Sequence, residues 1–288
     1  MRYLTVLLPI VLLVAAASCE SESDFAVVLP PEVPAEAVPL ATAFDPAHCG
    51  TISGRVTWPS ETPVAPPFLF GSPGTEGNFA IQMIPNPNCP TIDEPSRGVV
   101  GAVVFLRGVK AVNAKPWDLK PVRVVLQDRG IQIHQGDAKP ARSGFVRRGD
   151  AVAMLSVESV YHVLRARGSA YFSLPFPEPN QPLTRTFEKP GRVELSSAAG
   201  YYWASADLFV VDHPYYTLAD SEGRFSFEGV PAGPVEVVAW LPGWDVKKQE
   251  RDPETGLIFR QSYGSPREAI RKLTLVPQAK SEAILAFP

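Results

Sequence analysis

The fold is decided by two stretches of sequence, GDAVAMLSVESVYH at residues 149–162 and GRVELSSAAGYYWASADLFVVDH at residues 191–213. Both contain short apolar runs of the length typical of β-strands. Strand signals with turns between them recur through this region at Ala151–Val157, Tyr161–Ala166, Ala170–Leu174, Arg192–Leu195 and Leu208–Val211. Short strands at this spacing predict a Greek-key β-sandwich.

Further strand signals lie on both sides of this region. The run VVGAVVFL, Val99 to Leu106, is apolar on both faces and predicts a central strand. Asp128-Arg129-Gly130 separates two strand signals, 122–126 and 131–134, and predicts a hairpin with Gly in the turn. The other strand signals are Thr51–Trp58, Val235–Trp240, Leu273–Val276 and Ala283–Phe287.

Two segments are predicted without strands. Residues 59–95 contain repeated Pro, Asn and Gly and predict a long loop, of the kind that is usually functional or held by a crosslink. Residues 267–272 predict a helical turn.

Composition favours an all-β protein. The 288 residues include 31 Pro and 21 Gly, a mixture typical of short strands and many turns, while 45% apolar content is enough for a packed core. A chain of this length predicts two small domains. The net charge of −3 gives no basic surface of the kind that binds nucleic acid, so no nucleic-acid partner is expected.

The N-terminus has the pattern of a signal for export. Residues 1–19 combine a positive start at Arg2, an apolar run from Leu4 to Val14 and small residues before Cys19. This resembles a bacterial lipobox, in which Cys19 becomes the lipidated N-terminus and anchors the protein to a membrane. Ordinary cleavage near Ala16-Ala17-Ser18 is the alternative, and either route predicts an exported protein, in the periplasm or on the outer surface.

A tether is expected after the signal segment. Residues 20–46 are rich in proline, which favours an extended chain without a packed face.

Two cysteines follow the tether, Cys49 and Cys89. An even pair of cysteines in an oxidising compartment predicts a disulfide. It would close a loop of about 40 residues and stabilise the fold by a few kcal/mol in the entropic description. A zinc site is disfavoured, because Cys89 lies in Pro-Asn-Cys-Pro without paired ligand spacing.

The segment TLADSEGRFSFEGVPAG, Thr217 to Gly233, resembles the carboxypeptidase regulatory-like domain, a small transthyretin-like β-sandwich. The opening strands of that domain match Gly54-Arg55-Val56 and Ala102–Leu106, far upstream. The resemblance implies a split domain, residues 49–110 plus 213–288, with another sandwich inserted.

The inserted part, residues 111–212, resembles a cupredoxin. The family pattern Phe-x-Asn-x-Asp-x-x-x-His falls on Met154, Ser156, Glu158 and His162. The whole layout is similar to envelope proteins of planctomycete type that join a cupredoxin-like domain to a regulatory-like one. The fold expected from the resemblance is therefore all-β, with two Greek-key or transthyretin-like sandwiches.

The copper ligands of a cupredoxin are nearly all missing. The resemblance places the ligand Cys near Ser197 or Ala198, the second His near Tyr201 and the axial Met near Ala204, so only His162 is kept. Blue copper needs a thiolate and two imidazoles. We therefore expect no cofactor and no metal site, and His162 is expected to be a partly buried imidazole with a backbone partner.

The remaining candidate is an aromatic triplet, Tyr201-Tyr202-Trp203. Aromatic rings stack on sugars, although Trp203 and Trp240 are also natural core residues. If the triplet lies on a strand, Tyr201 and Tyr202 point to opposite faces, and one of them is exposed or at a domain boundary.

The sequence shows no motif of hydrolytic catalysis, neither a Gly-x-Ser-x-Gly elbow nor His-Glu-x-x-His. We therefore expect a non-enzymatic binding or structural protein of the cell envelope, with carbohydrate or an envelope protein as partner. The alternative is a metal-binding or redox accessory protein that holds copper at a rearranged site of His162 with His134 or His213.

Overall fold

The computed structural model describes residues 43–73, 79–198, 200–254, 256 and 258–288. The predicted signal segment 1–19, with its lipidation residue Cys19, and most of the tether 20–46 lie outside the described residues. Within the described ranges, no helix is long and apolar enough to cross a membrane.

The all-β prediction is confirmed. Six strands precede the central region: β1 Cys49–Thr57, β2 Phe68–Pro73, β3 Phe79–Ile84, β4 Thr91–Asp93, β5 Gly98–Val100 and β6 Val103–Arg107. The central region contains β7 Val122–Gln127, β8 Gly130–Gln135, β9 Ser143–Arg147, β10 Ala151–Ser156, β11 His162–Gly168, β12 Phe172–Phe176, β13 Leu183–Thr186, β14 Gly191–Ser197 and β15 Ser205–Val211. The C-terminal strands are β16 Tyr216–Leu218, β17 Arg224–Pro231, β18 Gly233–Leu241, β19 Val246–Arg251, β20 Ile258–Tyr263, β21 Arg267–Leu275 and β22 Lys280–Ala286. Single 3₁₀ turns lie at Pro46–His48 and Ala111–Asn113.

Strands from both ends of the described chain build one sandwich, here called the end sandwich. Its outer sheet has the order β17-β1-β5-β4, with β22 parallel to β1, and its inner sheet has the order β16-β6-β18-β21. The apolar side chains between these sheets form one core, which includes Ile52, Val56, Val104, Leu106, Val237, Phe225 and Leu285.

The strands β7 to β15 build a second sandwich, here called the central sandwich. Its outer sheet has the order β13-β10-β7-β8, and its inner sheet has the order β12-β11-β14-β15-β9. The core between them includes Val124, Ile133, Met154, Leu164, Leu195 and Leu208. Parallel pairs, β7 with β10 and β9 with β15, show that the connections cross over as in a Greek key. The domain boundaries expected from the sequence, residues 49–110 with 213–288 and residues 111–212, remain a prediction.

The two inner sheets pack against each other through an aromatic seam. This seam contains Phe105 and Trp240 of the end sandwich, Phe145 and Phe209 of the central sandwich, and Tyr216. Phe209 meets Trp240 edge to face at 5.1 Å between ring centroids, and Phe105 stacks on Tyr216 at 5.0 Å. Strand β6 is therefore buried on both faces, because alternate residues face the end core and the seam. The single central strand predicted for Val99–Leu106 is divided in the structure, since Val99 belongs to β5 in the outer sheet and only Val103–Leu106 belong to β6.

Three local expectations were wrong. Residues 267–272 belong to β21, which pairs with β18 along its whole length instead of forming a helical turn. Residues 59–95 contain the β2–β3 hairpin and β4 rather than an uninterrupted loop. In the β7–β8 hairpin the turn residues are Asp128 and Arg129, both with positive φ, while Gly130 already belongs to β8.

Gly54 provides a test of how closely the strands of the end sandwich pack. It lies between Phe225 on β17 and Ala283 on β22, and a Cβ atom there would lie 1.8 Å from the carbonyl oxygen of Ala283. Gly54→Ala should lower the free energy of unfolding by about 1–3 kcal/mol, since backbone would have to move. Urea denaturation measures this, with the exposed neighbour Ser53→Ala as control. Equal stability of both variants would contradict this packing.

Candidate functional site

His162, the retained ligand of the cupredoxin pattern, is buried at the start of β11. Its Nε2 atom lies 2.6 Å from Oε2 of Glu158, although the angles fall outside hydrogen-bond geometry. The second oxygen of Glu158 accepts a hydrogen bond of 3.2 Å from the backbone N–H of Arg129. A carboxylate therefore lies against the imidazole of His162 and also accepts a hydrogen bond from the Asp128–Arg129 turn.

The positions expected for the other copper ligands are filled by packed side chains. Tyr201 lies over His162 with 5.3 Å between ring centroids. Ser197 and Ala204 are buried, and the backbone N–H of Ser197 donates to the carbonyl of Ala204. A hydroxyl, a phenol and a methyl group do not supply the thiolate and second imidazole of blue copper, so these residues do not fit that centre.

The other described histidines do not join His162 in a group of side chains that could hold a metal ion. His134 lies on β8, and His213 lies beside the aromatic seam, in contact with the rings of Tyr215 and Tyr216. Burial lowers the pKa of His213, which favours its neutral form. In the ranges given above, no group of three or more His, Cys, Asp or Glu side chains is placed to hold a metal ion.

The structure does not support the predicted disulfide. Cys49 and Cys89 are free thiols, and each sulfur atom contacts a different backbone carbonyl, that of Asp45 at 3.2 Å and that of Pro63 at 3.4 Å. Burial raises the pKa of both thiols. The pairing was inferred from an even number of cysteines, and that number contains no distance information.

The aromatic triplet lies in the turn before β15 and not on a strand, so the alternation of faces expected for a strand does not apply to Tyr201 and Tyr202. Trp203 is buried, as a core residue would be, and its indole N–H donates to the carbonyl of Arg129 at 3.1 Å. The β2–β3 hairpin covers the triplet, and its Phe70 ring meets the Trp203 ring edge to face with 5.0 Å between the ring centroids. Tyr202 donates a hydrogen bond of 3.0 Å to the carbonyl of Leu69 and reaches a neighbouring pocket.

That pocket, here called the arginine pocket, lies where the aromatic seam ends. It has a volume of about 360 Å³ and lies between the outward face of β11, β14 and β15 and the β19–β20 hairpin. The hairpin connects β18 to β21 of the end sandwich, so both sandwiches contribute to the walls. The charged and aromatic residues of the lining are Arg165, Arg167, Arg192, Glu194, Tyr202, Asp207, Phe259, Arg260 and Tyr263.

Strand register places the polar side chains of the floor in two rows. Arg165 pairs with Ser196, which pairs with Ser205 on the next strand. Arg167 pairs with Glu194, which pairs with Asp207. Alternate residues of these strands, such as Leu164 and Leu195, face the central core, because successive side chains in a strand point to opposite faces.

Two arginines and a carboxylate hold the β15 side of the pocket in place. Asp207 is buried and accepts a hydrogen bond of 2.7 Å from Nε of Arg192. Arg142, which is partly buried behind the lining, donates to the carbonyl and hydroxyl oxygens of Ser205 at 2.6 Å. Burial raises the pKa of Asp207, and both arginines oppose that rise. Arg192 in addition lies over the ring of Trp240 at 5.0 Å, which connects the pocket to the seam.

The pocket wall carries buried polar atoms that have no hydrogen-bond partner in the part of the chain that the structure describes. Asn88 Oδ1 accepts no hydrogen bond among the described residues. Tyr263 Oη also lacks a hydrogen bond of good geometry, although Gln261 lies beside it. Burial raises the pKa of Tyr263 to about 12, with Gln261 and Arg142 opposing the rise. Polar atoms that are buried and unsatisfied at a cavity are natural contacts for a ligand.

Tyr202 was a candidate from the sequence and lines the pocket, whereas the arginines of the lining were not predicted as site residues. Arg165 and Arg167 do alternate with Leu164 and Ala166, which indicates a strand with one charged face. That pattern is ordinary for a solvated face. The covering hairpin comes from a segment about 90 residues later in the chain, which no local pattern reveals.

The chain is weakly similar to solved cupredoxins over part of its length. A purple cupredoxin from Nitrosopumilus maritimus is 13% identical, with 31% of this chain and 98% of that chain covered and a TM-score of 0.25. An oxidised amicyanin mutant is 12% identical, with 37% and 99% covered and a TM-score of 0.25. A Cu(I) form of another amicyanin mutant is 16% identical, with 38% and 98% covered and the same TM-score of 0.25. No family model and no curated protein matches the chain.

The raised pKa of Tyr263 predicts a loss of stability in alkali. A tyrosine whose pKa is 10.0 when unfolded and about 12 when folded favours the folded state fully below pH 10, and this contribution disappears as pH rises toward 12. Tyr263→Phe should therefore lose less stability than the unaltered protein between these pH values, by at most roughly 2–3 kcal/mol. Urea unfolding at stepped pH measures the difference. Exposed Tyr171→Phe is the control, and the same pH profile for both variants would contradict the assignment.

Proposed function

We propose that the chain is a non-enzymatic ligand-binding protein of the bacterial cell envelope, that its ligand is a carbohydrate, and that the arginine pocket is the binding site. The observation that carries this proposal is the composition of the lining. Guanidinium, hydroxyl and amide groups stand beside the rings of Tyr202, Phe259 and Tyr263. A saccharide presents hydroxyl groups and apolar ring faces together, so it matches both kinds of lining group.

The position of the pocket supports the same proposal. Ligand pockets occur preferentially where two packed units meet, and a volume of about 360 Å³ is within the range of small-molecule sites. The floor is made of regular strands whose register is fixed by the central core, and the wall is a hairpin. Rigid strands hold polar groups in a defined arrangement, which favours selective binding.

The proposal includes the cellular location and the kinship of the protein. The signal pattern of residues 1–19 and the small residues before Cys19 support export and a lipid anchor. The Thr217–Gly233 motif and Gly54-Arg55-Val56 support kinship with envelope proteins that join a regulatory-like domain to a cupredoxin-like one. In this description the cupredoxin-type sandwich is a scaffold, and its outward sheet face has become the binding surface.

A pocket-blocking variant tests this function. Ser196 lies on the pocket floor, so the indole of Ser196→Trp should fill the cavity and weaken glycan binding by about tenfold or more. A glycan array followed by calorimetry on the glycans that bind measures this. Thr184→Trp on the exposed strand β13 is the matched control and should bind like the unaltered protein.

Three results would contradict the proposal. They are the absence of glycan binding, binding that Ser196→Trp leaves unchanged, and turnover of a polysaccharide or peptide by the purified protein. Tight stoichiometric copper uptake that His162→Ala abolishes would favour the metal-binding alternative instead.

A further inference from the structure

The arginine pocket holds positive charge that its own carboxylates do not neutralise. Four arginines and two carboxylates belong to its lining. Both carboxylates are engaged by one arginine, since Arg192 lies 2.7 Å from Asp207 and 3.4 Å from Glu194. The described lining contains no further carboxylate to balance the positive charges of the other three arginines, Arg165, Arg167 and Arg260.

Arg165 and Arg167 have no ion-pair partner among the residues that the structure describes, although Glu194 is opposite Arg167 in the strand register. Arg260 reaches Glu250 only at 3.5 Å, and Glu250 also binds Lys248 at 3.1 Å. Among the described residues, these three guanidinium groups therefore keep N–H donors that no ion pair uses. An arginine carries five N–H donors in a planar fork.

The three guanidinium groups also repel one another. Arg165 and Arg167 are two residues apart on the same face of β11, and Arg260 faces them from β20. Partial burial is the largest cause that lowers the pKa of Arg165, and repulsion by the charges of Arg167 and Arg260 lowers it further. Like charges gathered in a cavity weaken the folded state unless an anion joins them.

We infer that Arg165, Arg167 and Arg260 form an oxyanion site in the arginine pocket. A planar carboxylate, or a sulfate, can accept two parallel N–H bonds from a guanidinium fork, which makes arginine the preferred residue for such groups. Ser196 and Tyr263 lie beside the site and supply hydroxyl groups for the remainder of a ligand. Since the inference rests on the proposed function, the ligand class it names is an acidic saccharide, one that carries a carboxylate or sulfate group.

Inorganic sulfate tests the oxyanion site directly on the full chain. Thermal unfolding is followed while sulfate replaces chloride at constant ionic strength, so that general screening does not change. The unaltered protein should gain a saturable rise in Tm. Arg165→Gln and Arg167→Gln should each weaken the sulfate affinity by about tenfold or more, because each removes charge-assisted hydrogen bonds.

A matched control and a second readout keep a folding defect distinct from lost binding. Arg185→Gln on exposed β13 removes the same charge away from the pocket and should leave the sulfate affinity unchanged. Without sulfate, Arg165→Gln should be at least as stable as the unaltered protein, since it relieves repulsion. A site that merely supported the fold would lose stability in this variant and would show no saturable response to sulfate.

A second ligand pair separates this inference from the proposed function. Calorimetry compares a galacturonate trisaccharide with its methyl ester, which keeps the rings and removes the charge. If the free acid binds more tightly than the ester, and this difference depends on Arg165, the result supports both the oxyanion site and the proposed carbohydrate binding. Equal binding of acid and ester overturns the acidic saccharide as the ligand class and leaves a site for neutral carbohydrate. Sulfate binding that depends on Arg165 supports the oxyanion site even if glycan binding fails. The absence of a sulfate response that depends on arginine overturns the inference.

Discussion

The aromatic seam between the two inner sheets is the contact on which the rest of the structure depends. Phe105 and Trp240 on one side, and Phe145 and Phe209 on the other, exclude water between strands that also face a core on their opposite side. Each edge-to-face aromatic pair adds about 0.5–1.5 kcal/mol beyond its burial, so the seam fixes the relative position of the two inner sheets. The seam covers only part of the inner sheet of the central sandwich, and the outward faces of β11 and β14 beyond it form the floor of the arginine pocket.

The arginine pocket is a consequence of where this seam ends. Along β15 the outward side chains change from Val211 and Phe209 to Asp207 and Ser205, and the partner surface changes from a flat sheet to the β19–β20 hairpin. Arg192 lies at the change, paired with Asp207 and stacked over Trp240. The positions at which the sequence resemblance expected copper ligands are occupied by packed side chains, with Tyr201 against His162 and the β2–β3 hairpin over Trp203.

The sequence predicted the features that a pattern within one short segment determines. Strand periodicity located Ala151–Val157 and Leu208–Val211, because burial acts on the residues of one strand at a time. The apolar run Val99–Leu106 correctly indicated a central strand at Val103–Leu106, but it did not reveal that Val99 belongs to a separate strand in the other sheet. The sequence did not predict features that depend on contacts between segments far apart in the chain. The strand at Arg267–Leu275 has exposed charges at helical spacing and exists because β18 pairs with it. The arginine pocket likewise required knowing that residues 258–263 cover β11 and β14.

The most direct test of this account is a crystal structure of the protein grown in selenate, a sulfate mimic whose anomalous scattering identifies its position. We expect one selenate in the arginine pocket, within hydrogen-bond distance of the guanidinium groups of Arg165 and Arg167. An empty pocket at saturating selenate would contradict the account, and so would Arg165 and Arg167 paired with carboxylates of the protein.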